Sequence, residues 1–201
     1  MHEVYPPTPT HMHIINEHYH IYNRGAHKEP IFLDKSDYER FIALLLVANS
    51  EKPIKNRWSH HNTWSKVPES KLVHIFAYCL MPNHFHIGLI EIKERGIERF
   101  THKLITSYSM YYNIKYKHSG TIFQGNYKWK HVDSDEYLRY LIQYIHLNPF
   151  GIDEPELIKT AKPEFLNQAI ECSKKYEYSS YKDYLGVSRK EGLILNLDVG
   201  G

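Results

Sequence analysis

The sequence is poor in cysteine and has no long hydrophobic segment, and both absences narrow the possible classes of protein. Its 201 residues include two cysteines, Cys79 and Cys172, which lie far apart and in no metal-binding spacing. A disulfide-stapled scaffold and a zinc finger are therefore excluded, and a reducing cytoplasm is the expected compartment. The longest apolar run, Phe41–Ala48, is far shorter than the roughly 18 residues that a membrane span requires. The first residues lack the apolar segment of a secretory signal, so no signal peptide is expected.

Charge of one sign is not in large excess either, but its distribution is uneven. The 25 Lys and Arg against 23 Asp and Glu give a net charge of +2, with the 15 histidines neutral. Between Arg99 and Lys130 there is no acidic residue, and six cations are interleaved with tyrosines and a tryptophan. Such a stretch is suited to binding a phosphate backbone and stacking bases. A solvated helix with tyrosines in the core would give the same pattern, so both interpretations stay open.

Hydrophobic periodicity predicts an α+β domain with the order β-α-β-β-α-β-α. The turn Met81-Pro82-Asn83 separates two strands by a gap too short for a crossover, so the strands pair as an antiparallel hairpin. The apolar continuity of 72–80 predicts that the first of them is a central strand. The expected architecture is a ferredoxin-like antiparallel sheet with helices packed on one face. The predicted strands are 18–22, 72–80, 84–92 and 123–132, and the predicted helices are 36–49, 97–116, 134–148 and 164–173.

The regular pattern covers the middle of the chain. Residues 1–12 are rich in proline and histidine and are expected to be disordered. Residues 13–150 form the expected domain, and the less regular 151–201 are expected to be an extension that packs on the domain or on a nucleic acid. Ser36 and Glu39 match a capping box, in which each side chain satisfies a free N–H at the start of the first helix.

Two histidines share one face of a predicted strand. Side chains at i and i+2 of a strand point to the same side, so His84 and His86 could hold one divalent ion. The pair begins a strand directly after a proline turn, beside an apolar strand that would hold it rigidly. The same spacing occurs twice more near the N-terminus, so a pair of ordinary strand histidines remains an alternative.

The helix that ends before Pro149 places a tyrosine one turn from an asparagine. Tyr144 and Asn148 are spaced i, i+4, so they lie side by side on one face. Tyr144 could be a nucleophile and the amide oxygen of Asn148 a third metal ligand. Two imidazoles and one oxygen would leave open positions for phosphate oxygens. A tyrosine that packs in the core and a helix C-cap are the alternatives.

Five parts of the chain share their order and spacing with the motifs of one protein family. They are His20–Gly25 with Ile31–Asp34, Met81–His86, Gly120–Lys128, Tyr144–Pro149, and Tyr178–Tyr181 with Tyr184–Gly186. The sequence resembles the single-tyrosine HUH transposases, the IS200-like group, and among them most of all the REP-associated tyrosine transposases. Asn148 favours this branch, because insertion-sequence members carry glutamine there. After the fourth motif the family commonly continues Val-Arg/Lys-Ala-Gly, whereas this chain reads Phe-Gly-Ile.

The resemblance implies an HUH endonuclease fold and a transposase that nicks and joins single-stranded DNA at or near hairpins. It assigns His84, His86 and Asn148 to a divalent metal, Mg²⁺ or Mn²⁺, and Tyr144 to the attack that forms a covalent 5′-phosphotyrosine. No nucleotide cofactor is implied. The protein would act as a monomer or a homodimer in the cytoplasm of a bacterial or archaeal cell, at the nucleoid. The candidate DNA contacts are Asn23, Arg24, Lys103, Tyr108, Gln124, Lys128 and Lys130.

Three other functions remain possible at the level of sequence. The first is a domesticated protein of the same fold that binds hairpin DNA and no longer transposes. The second is an RNA-binding module, which would need exposed aromatic residues such as Phe76 and Tyr78 on its central strands but lacks the RNP1 pattern. The third is a metal-storing or redox protein that uses the many histidines, although no dense histidine cluster or cysteine set is present.

Overall fold

The computed structural model describes residues 13–54, 64, 67–151 and 162–198, and the predicted order of strands and helices is confirmed there. The segment 1–12, expected to be disordered, lies outside the described residues, as does 152–161 of the expected extension. Among the helices described, none combines the length and the apolarity needed to cross a membrane. The elements are β1 (His18–Arg24), α1 (Lys35–Ala48), β2 (Val73–Met81), β3 (His84–Glu91), α2 (Gly96–Tyr116), β4 (Lys128–Val132), α3 (Asp135–Leu147), α4 (Pro163–Lys175) and α5 (Tyr181–Tyr184).

The four strands form one antiparallel sheet in the order β2-β3-β1-β4. Helices α1 and α2 pack on one face, around Phe41, Leu104 and Phe85. Helix α3 lies on the other face against β2 and β3, around Phe76 and Leu141. The predicted α+β fold with its antiparallel sheet is therefore confirmed, and α3 departs from the expectation that the helices share one face. Periodicity shows that a helix has an apolar stripe, but it does not show which side of a sheet the stripe covers.

Strand β2 is an edge strand, although its continuous apolar sequence predicted a central one. Its outer edge is covered by the C-terminal part of the chain: the Leu80 N–H donates to the carbonyl of Tyr178 and the Ser180 N–H to that of Tyr78, each at 2.9 Å. With this edge paired and both faces covered, β2 is as apolar as a central strand. Further hydrogen bonds run from Asn196 to Ile75, Tyr176 to Leu80 and Tyr184 to Phe76.

The capping box of α1 was predicted at the wrong residues. Asp34 is the N-cap, and its carboxylate accepts hydrogen bonds from the backbone N–H groups of Ser36 and Asp37. The carboxylate of Asp37 accepts in return from the Asp34 N–H. Nζ of Lys115, on α2, lies 2.7 Å from each of the two carboxylates. One cation of the basic stretch therefore forms ion pairs within the domain. This tertiary ion pair favours Asp34 over Ser36 as the cap, and sequence spacing alone does not reveal it.

The close approach of Phe76 to β3 gives a testable packing prediction. A Cβ atom at Gly88 would lie 2.3 Å from Cε2 of the Phe76 ring. Gly88→Ala should therefore overpack the α3 face and lower the free energy of unfolding by about 1–3 kcal/mol. Urea denaturation followed by circular dichroism measures the change. Gly192→Ala is the control, since among the described residues its Cβ would meet only a side-chain oxygen of Asp183, at 3.3 Å. Equal stability of the two variants would contradict the prediction.

Candidate functional site

A cleft of about 660 Å³ opens on the α3 face of the sheet. It lies between the strands β1, β3 and β4 and helix α3. It brings together the four site residues that were predicted from two separate motifs. These are His84 and His86 from β3, Tyr144 from α3, and Asn148 directly after α3. The described residues that line it are His20, Tyr22, Asn23, Arg24, His84, His86, Gln124, Lys128, Lys130, Tyr137, Tyr144 and Asn148.

His84 and Asn148 meet through two atoms that are both suited to metal binding. Nε2 of His84 lies 3.2 Å from Oδ1 of Asn148. Nδ1 of His84 lies 2.7 Å from Oδ1 of Asn83, whose amide nitrogen donates to the carbonyl of Lys28. The two amide oxygens both accept, so the neutral ring can donate to only one of them; with its proton on Nδ1, at the shorter contact, Nε2 presents a lone pair to Asn148. A cation between these two electron-pair donors would satisfy both, so the residues fit a divalent metal.

His86 is buried beside His20, a histidine of β1 that was not among the predicted site residues. Nδ1 of His86 lies 2.8 Å from Nε2 of His20. Burial lowers the pKa of His20 to about 3, helped by the charge of Lys130. Burial, the two neighbouring histidines and Arg24 also hold the pKa of His86 well below its usual value. Both rings are therefore neutral near pH 7, which is the form of histidine that binds metals. The rings of His84 and His86 are nearly perpendicular, with centroids 5.1 Å apart.

Tyr144 stands edge-on to the His86 ring, with centroids 5.2 Å apart and an angle of 79° between the planes. Ser134 is the N-cap of helix α3, and its side chain accepts a hydrogen bond from the Tyr137 N–H. The apolar stripe of α3 packs the helix against the sheet. Tyr144 packs in that apolar cluster and Asn148 is the C-cap of α3, so the two structural alternatives also hold. Both residues nevertheless line the cleft.

Five of the seven predicted DNA contacts line the same cleft. Four of these five side chains are exposed, whereas Asn23 is buried and its amide donates to the carbonyl of Gly125 at 3.3 Å. Nζ of Lys130 lies 4.6 Å above the ring of Tyr137. The five are Asn23, Arg24, Gln124, Lys128 and Lys130.

Lys103 and Tyr108 are not in the described lining of the cleft: Tyr108 is too buried to contact DNA, and for Lys103 the contact stays a prediction. They lie on α2, which covers the opposite face of the sheet. Tyr108 is fully buried and its hydroxyl donates to the carbonyl of Ile31, which leaves no surface for a nucleic acid. Nζ of Lys103 donates to the carbonyls of Ser50 and Lys52. The basic, aromatic stretch is continuous in sequence, but the fold divides it between the two faces.

The charge in the cleft is positive. Arg24, Lys128 and Lys130 line it, and its described lining contains no carboxylate. In the described part of the chain there is also no group of three or more His, Cys, Asp or Glu side chains arranged for a metal ion. The donor set would consist of two imidazoles and one amide oxygen. A divalent ion held by neutral ligands keeps its full charge, and a phosphate group is a suited anionic partner.

Several residues that line or support the cleft were missed from the sequence, among them Asn83, which bonds to His84 from outside the described lining. Asn83 directly precedes His84, and His20 belongs to one of the other His-x-His pairs, which its spacing did not distinguish from a chance match. Tyr22 lies inside the first motif of the resemblance but was given no role, and Tyr137 was not distinguished among the 17 tyrosines. The aromatic residues named for an RNA-binding module, Phe76 and Tyr78, are fully buried and cannot stack on bases, so that alternative loses its support.

Comparison with known proteins gives a match in structure only. No protein-family model and no curated protein matches the sequence. Among solved structures, the REP-associated tyrosine transposase bound to a REP hairpin matches with a TM-score of 0.55 and 11% identity. The match covers 94% of this chain and 93% of the other. The chain therefore has the fold of a REP-associated tyrosine transposase along nearly its whole length.

Proposed function

We propose that this protein is a single-tyrosine HUH transposase of the REP-associated group, which nicks and joins single-stranded DNA at or near hairpins. The observation that carries the proposal is the meeting, in one cationic cleft, of His84 and His86 with Tyr144 and Asn148. The likeness to a transposase bound to a REP hairpin supports hairpin DNA as the substrate class. The catalytic domain would be 13–150, acting as a monomer or homodimer on DNA in the cytoplasm.

The proposed metal ligands are Nε2 of His84, Nε2 of His86 and Oδ1 of Asn148. Mg²⁺ and Mn²⁺ both suit the oxygen chemistry of phosphoryl transfer, and imidazole ligands favour Mn²⁺ in affinity. When bound, such an ion supplies Lewis-acid polarisation of a phosphoryl oxygen. The ligands are held ready for it, since Asn83 orients His84 and α3 fixes Asn148 opposite.

Tyr144 is the proposed nucleophile. Its phenolic oxygen attacks phosphorus, and the new O–P bond forms as the bond from phosphorus to the 3′-oxygen breaks. The proton that the phenol loses is balanced by the proton that the leaving 3′-oxygen gains. The 5′-phosphotyrosine keeps the energy of the diester, so a second 3′-hydroxyl can reverse the step and join strands without a nucleotide cofactor. Packing against His86 holds the ring, which reduces the entropy lost on reaction.

The direct test incubates the full chain with labelled single-stranded DNA hairpins, each extended by the sequence on either side of the hairpin. The products are then separated on a denaturing gel. We expect a protein–DNA adduct that resists SDS and forms with Mn²⁺ but not with EDTA. A hairpin-binding protein of the same fold without transposition activity is the second candidate, favoured by the exposed cations of the cleft. Retention of hairpins with no adduct under any metal or flank would favour that candidate and contradict strand cleavage.

The two exposed lysines of β4 allow a test of the DNA surface. The double variant Lys128→Gln, Lys130→Gln should bind hairpins more weakly. Its log affinity should also fall less steeply with log salt, by about 1 in the slope for each phosphate that is no longer neutralised. Fluorescence anisotropy over a series of salt concentrations measures this slope. Lys35→Gln is the control, because Lys35 lies on α1 and pairs only loosely with Glu39 at 3.5 Å. An unchanged slope in the double variant would show that β4 does not contact DNA.

A further inference from the structure

His20 and His86 are diagonal neighbours on the α3 face of the sheet. The register of β1 against β3 pairs His20 with Gly88 and Tyr22 with His86. Because Gly88 has no side chain, nothing from β3 stands directly opposite His20. The two imidazole rings are nearly parallel, with centroids 5.0 Å apart and an angle of 23°, and the facing nitrogens are 2.8 Å apart. Both side chains are buried, so water competes little for this hydrogen bond.

A single proton lies between the two facing nitrogens, and its position decides what His86 can bind. A neutral imidazole has one N–H and one lone pair. If the proton is on Nδ1 of His86, then Nε2 of His86 keeps its lone pair for a metal. If the proton is on Nε2 of His20, then Nε2 of His86 carries its own hydrogen and cannot be a ligand.

We propose that His20 is a positioning residue for the metal site, which accepts the hydrogen bond from Nδ1 of His86 and so holds Nε2 of His86 free for the divalent ion. The inference rests on the proposed function, because it concerns one of the proposed ligands. Metal-binding histidines usually donate their second N–H to an acceptor, commonly a carboxylate, a backbone carbonyl or a water, which sets both the tautomer and the ring orientation. Nε2 of a neutral His20 can accept in the same way.

The second histidine of the site has a matching partner. Oδ1 of Asn83 lies 2.7 Å from Nδ1 of His84, and its own amide nitrogen is held by the Lys28 carbonyl. Each proposed imidazole ligand is thus oriented through Nδ1 by a neutral acceptor. Carboxylates are common in this position, and two neutral acceptors in their place keep the cleft positive toward a phosphate backbone.

A simple packing role for His20 is the competing explanation. Its ring also stacks on Tyr22, with centroids 4.9 Å apart, and stands edge-on to Tyr144 at 6.0 Å. Two substitutions separate the roles. His20→Gln loses the ring but keeps an acceptor oxygen at a similar distance from the backbone, whereas His20→Phe keeps an aromatic ring and loses the acceptor.

The experiment measures the affinity of the full chain for Mn²⁺ by the electron paramagnetic resonance signal of free Mn²⁺, with saturating hairpin oligonucleotide. We expect His20→Phe to weaken Mn²⁺ binding by about 10- to 100-fold and His20→Gln to stay close to wild type. His18→Gln is the matched control, since His18 lies on the same strand and face but outside the described cleft lining, and its Nε2 has no hydrogen-bond partner among the described residues. Thermal unfolding and hairpin affinity show whether each variant is folded.

Two results of the Mn²⁺ experiment would overturn the role of His20 and leave the proposed function standing. One is wild-type Mn²⁺ affinity in His20→Phe, and the other is a loss in His20→Gln as large as in His20→Phe. A wild-type protein that binds hairpins but no Mn²⁺ would overturn the metal site itself, and with it the proposed function.

A second measurement concerns the tautomer directly. The ¹⁵N shifts of His86 in the metal-free protein should show the Nδ1–H tautomer, and in folded His20→Phe the population should move toward Nε2–H. An Nε2–H tautomer in the wild type would also overturn the inference.

Discussion

Tyr144→Phe should abolish the covalent protein–DNA adduct while leaving hairpin affinity nearly unchanged. The substitution removes one hydroxyl, which is the proposed nucleophile, and keeps the ring that packs among Leu141 and Ile145. Loss of a nucleophile in an enzyme of this kind is expected to lower strand cleavage by at least ~10⁴-fold. The adduct is measured on a denaturing gel with Mn²⁺, and hairpin affinity by fluorescence anisotropy on the same preparations.

The control for this experiment is Tyr140→Phe. Tyr140 lies one turn earlier on α3 and outside the cleft lining, so its hydroxyl is not expected to reach a bound phosphate. Cleavage should stay at the wild-type level. Adduct formation by Tyr144→Phe at the wild-type rate would exclude Tyr144 as the nucleophile, and selective loss in Tyr140→Phe would assign the role to Tyr140 instead.

His84→Ala should remove metal-dependent cleavage. The substitution deletes one of three proposed donors and leaves Oδ1 of Asn148 without the atom that faces it at 3.2 Å. Because a bound metal contributes several kcal/mol of transition-state stabilisation, we expect cleavage to fall by about 10³-fold. Single-turnover rates at several Mn²⁺ concentrations measure the loss. Hairpin binding should persist, since the cations of the cleft are unchanged.

Removing the metal with EDTA shows whether the loss in His84→Ala is a loss of metal-dependent cleavage. If His84 acts through the metal, EDTA should slow the wild-type protein to the level of His84→Ala and slow the variant no further. His118→Ala is the control, because His118 is exposed beyond the end of α2 and bonds to Asn113. Cleavage by His84→Ala that remains as metal-dependent as in wild type would remove His84 from the ligand set.

The residues within each motif were predicted correctly as neighbours, for a local physical reason. Strand geometry repeats every two residues, so His84 and His86 share a face wherever the strand lies. Helix geometry repeats every 3.6 residues, so Tyr144 and Asn148 are adjacent wherever α3 packs. The hairpin between β2 and β3 followed from the length of its turn. These features depend only on residues close together in the chain.

The features that differ from the expectations based on sequence have the opposite origin, in contacts between residues far apart in the chain. Lys103 and Tyr108 were assigned to DNA because they belong to a basic, aromatic stretch, yet α2 packs on the face of the sheet away from the cleft. Strand β2 was placed at the centre because nothing local shows that the C-terminal segment covers its edge. His20 was missed because its place in the site depends on a contact with a residue 66 positions away.

The sequence by itself determined the elements, the pairs of side chains that share a face, and, through its resemblance to a family, the chemistry predicted for those pairs. The tertiary structure alone decided that β3 and α3 meet, so that His84 and Asn148, 64 residues apart, face one another. It also decided that β4 supplies cations to the cleft and α2 does not. The physical reason is that such contacts depend on the packing of whole faces, a sum over residues distant in the chain that no local pattern contains.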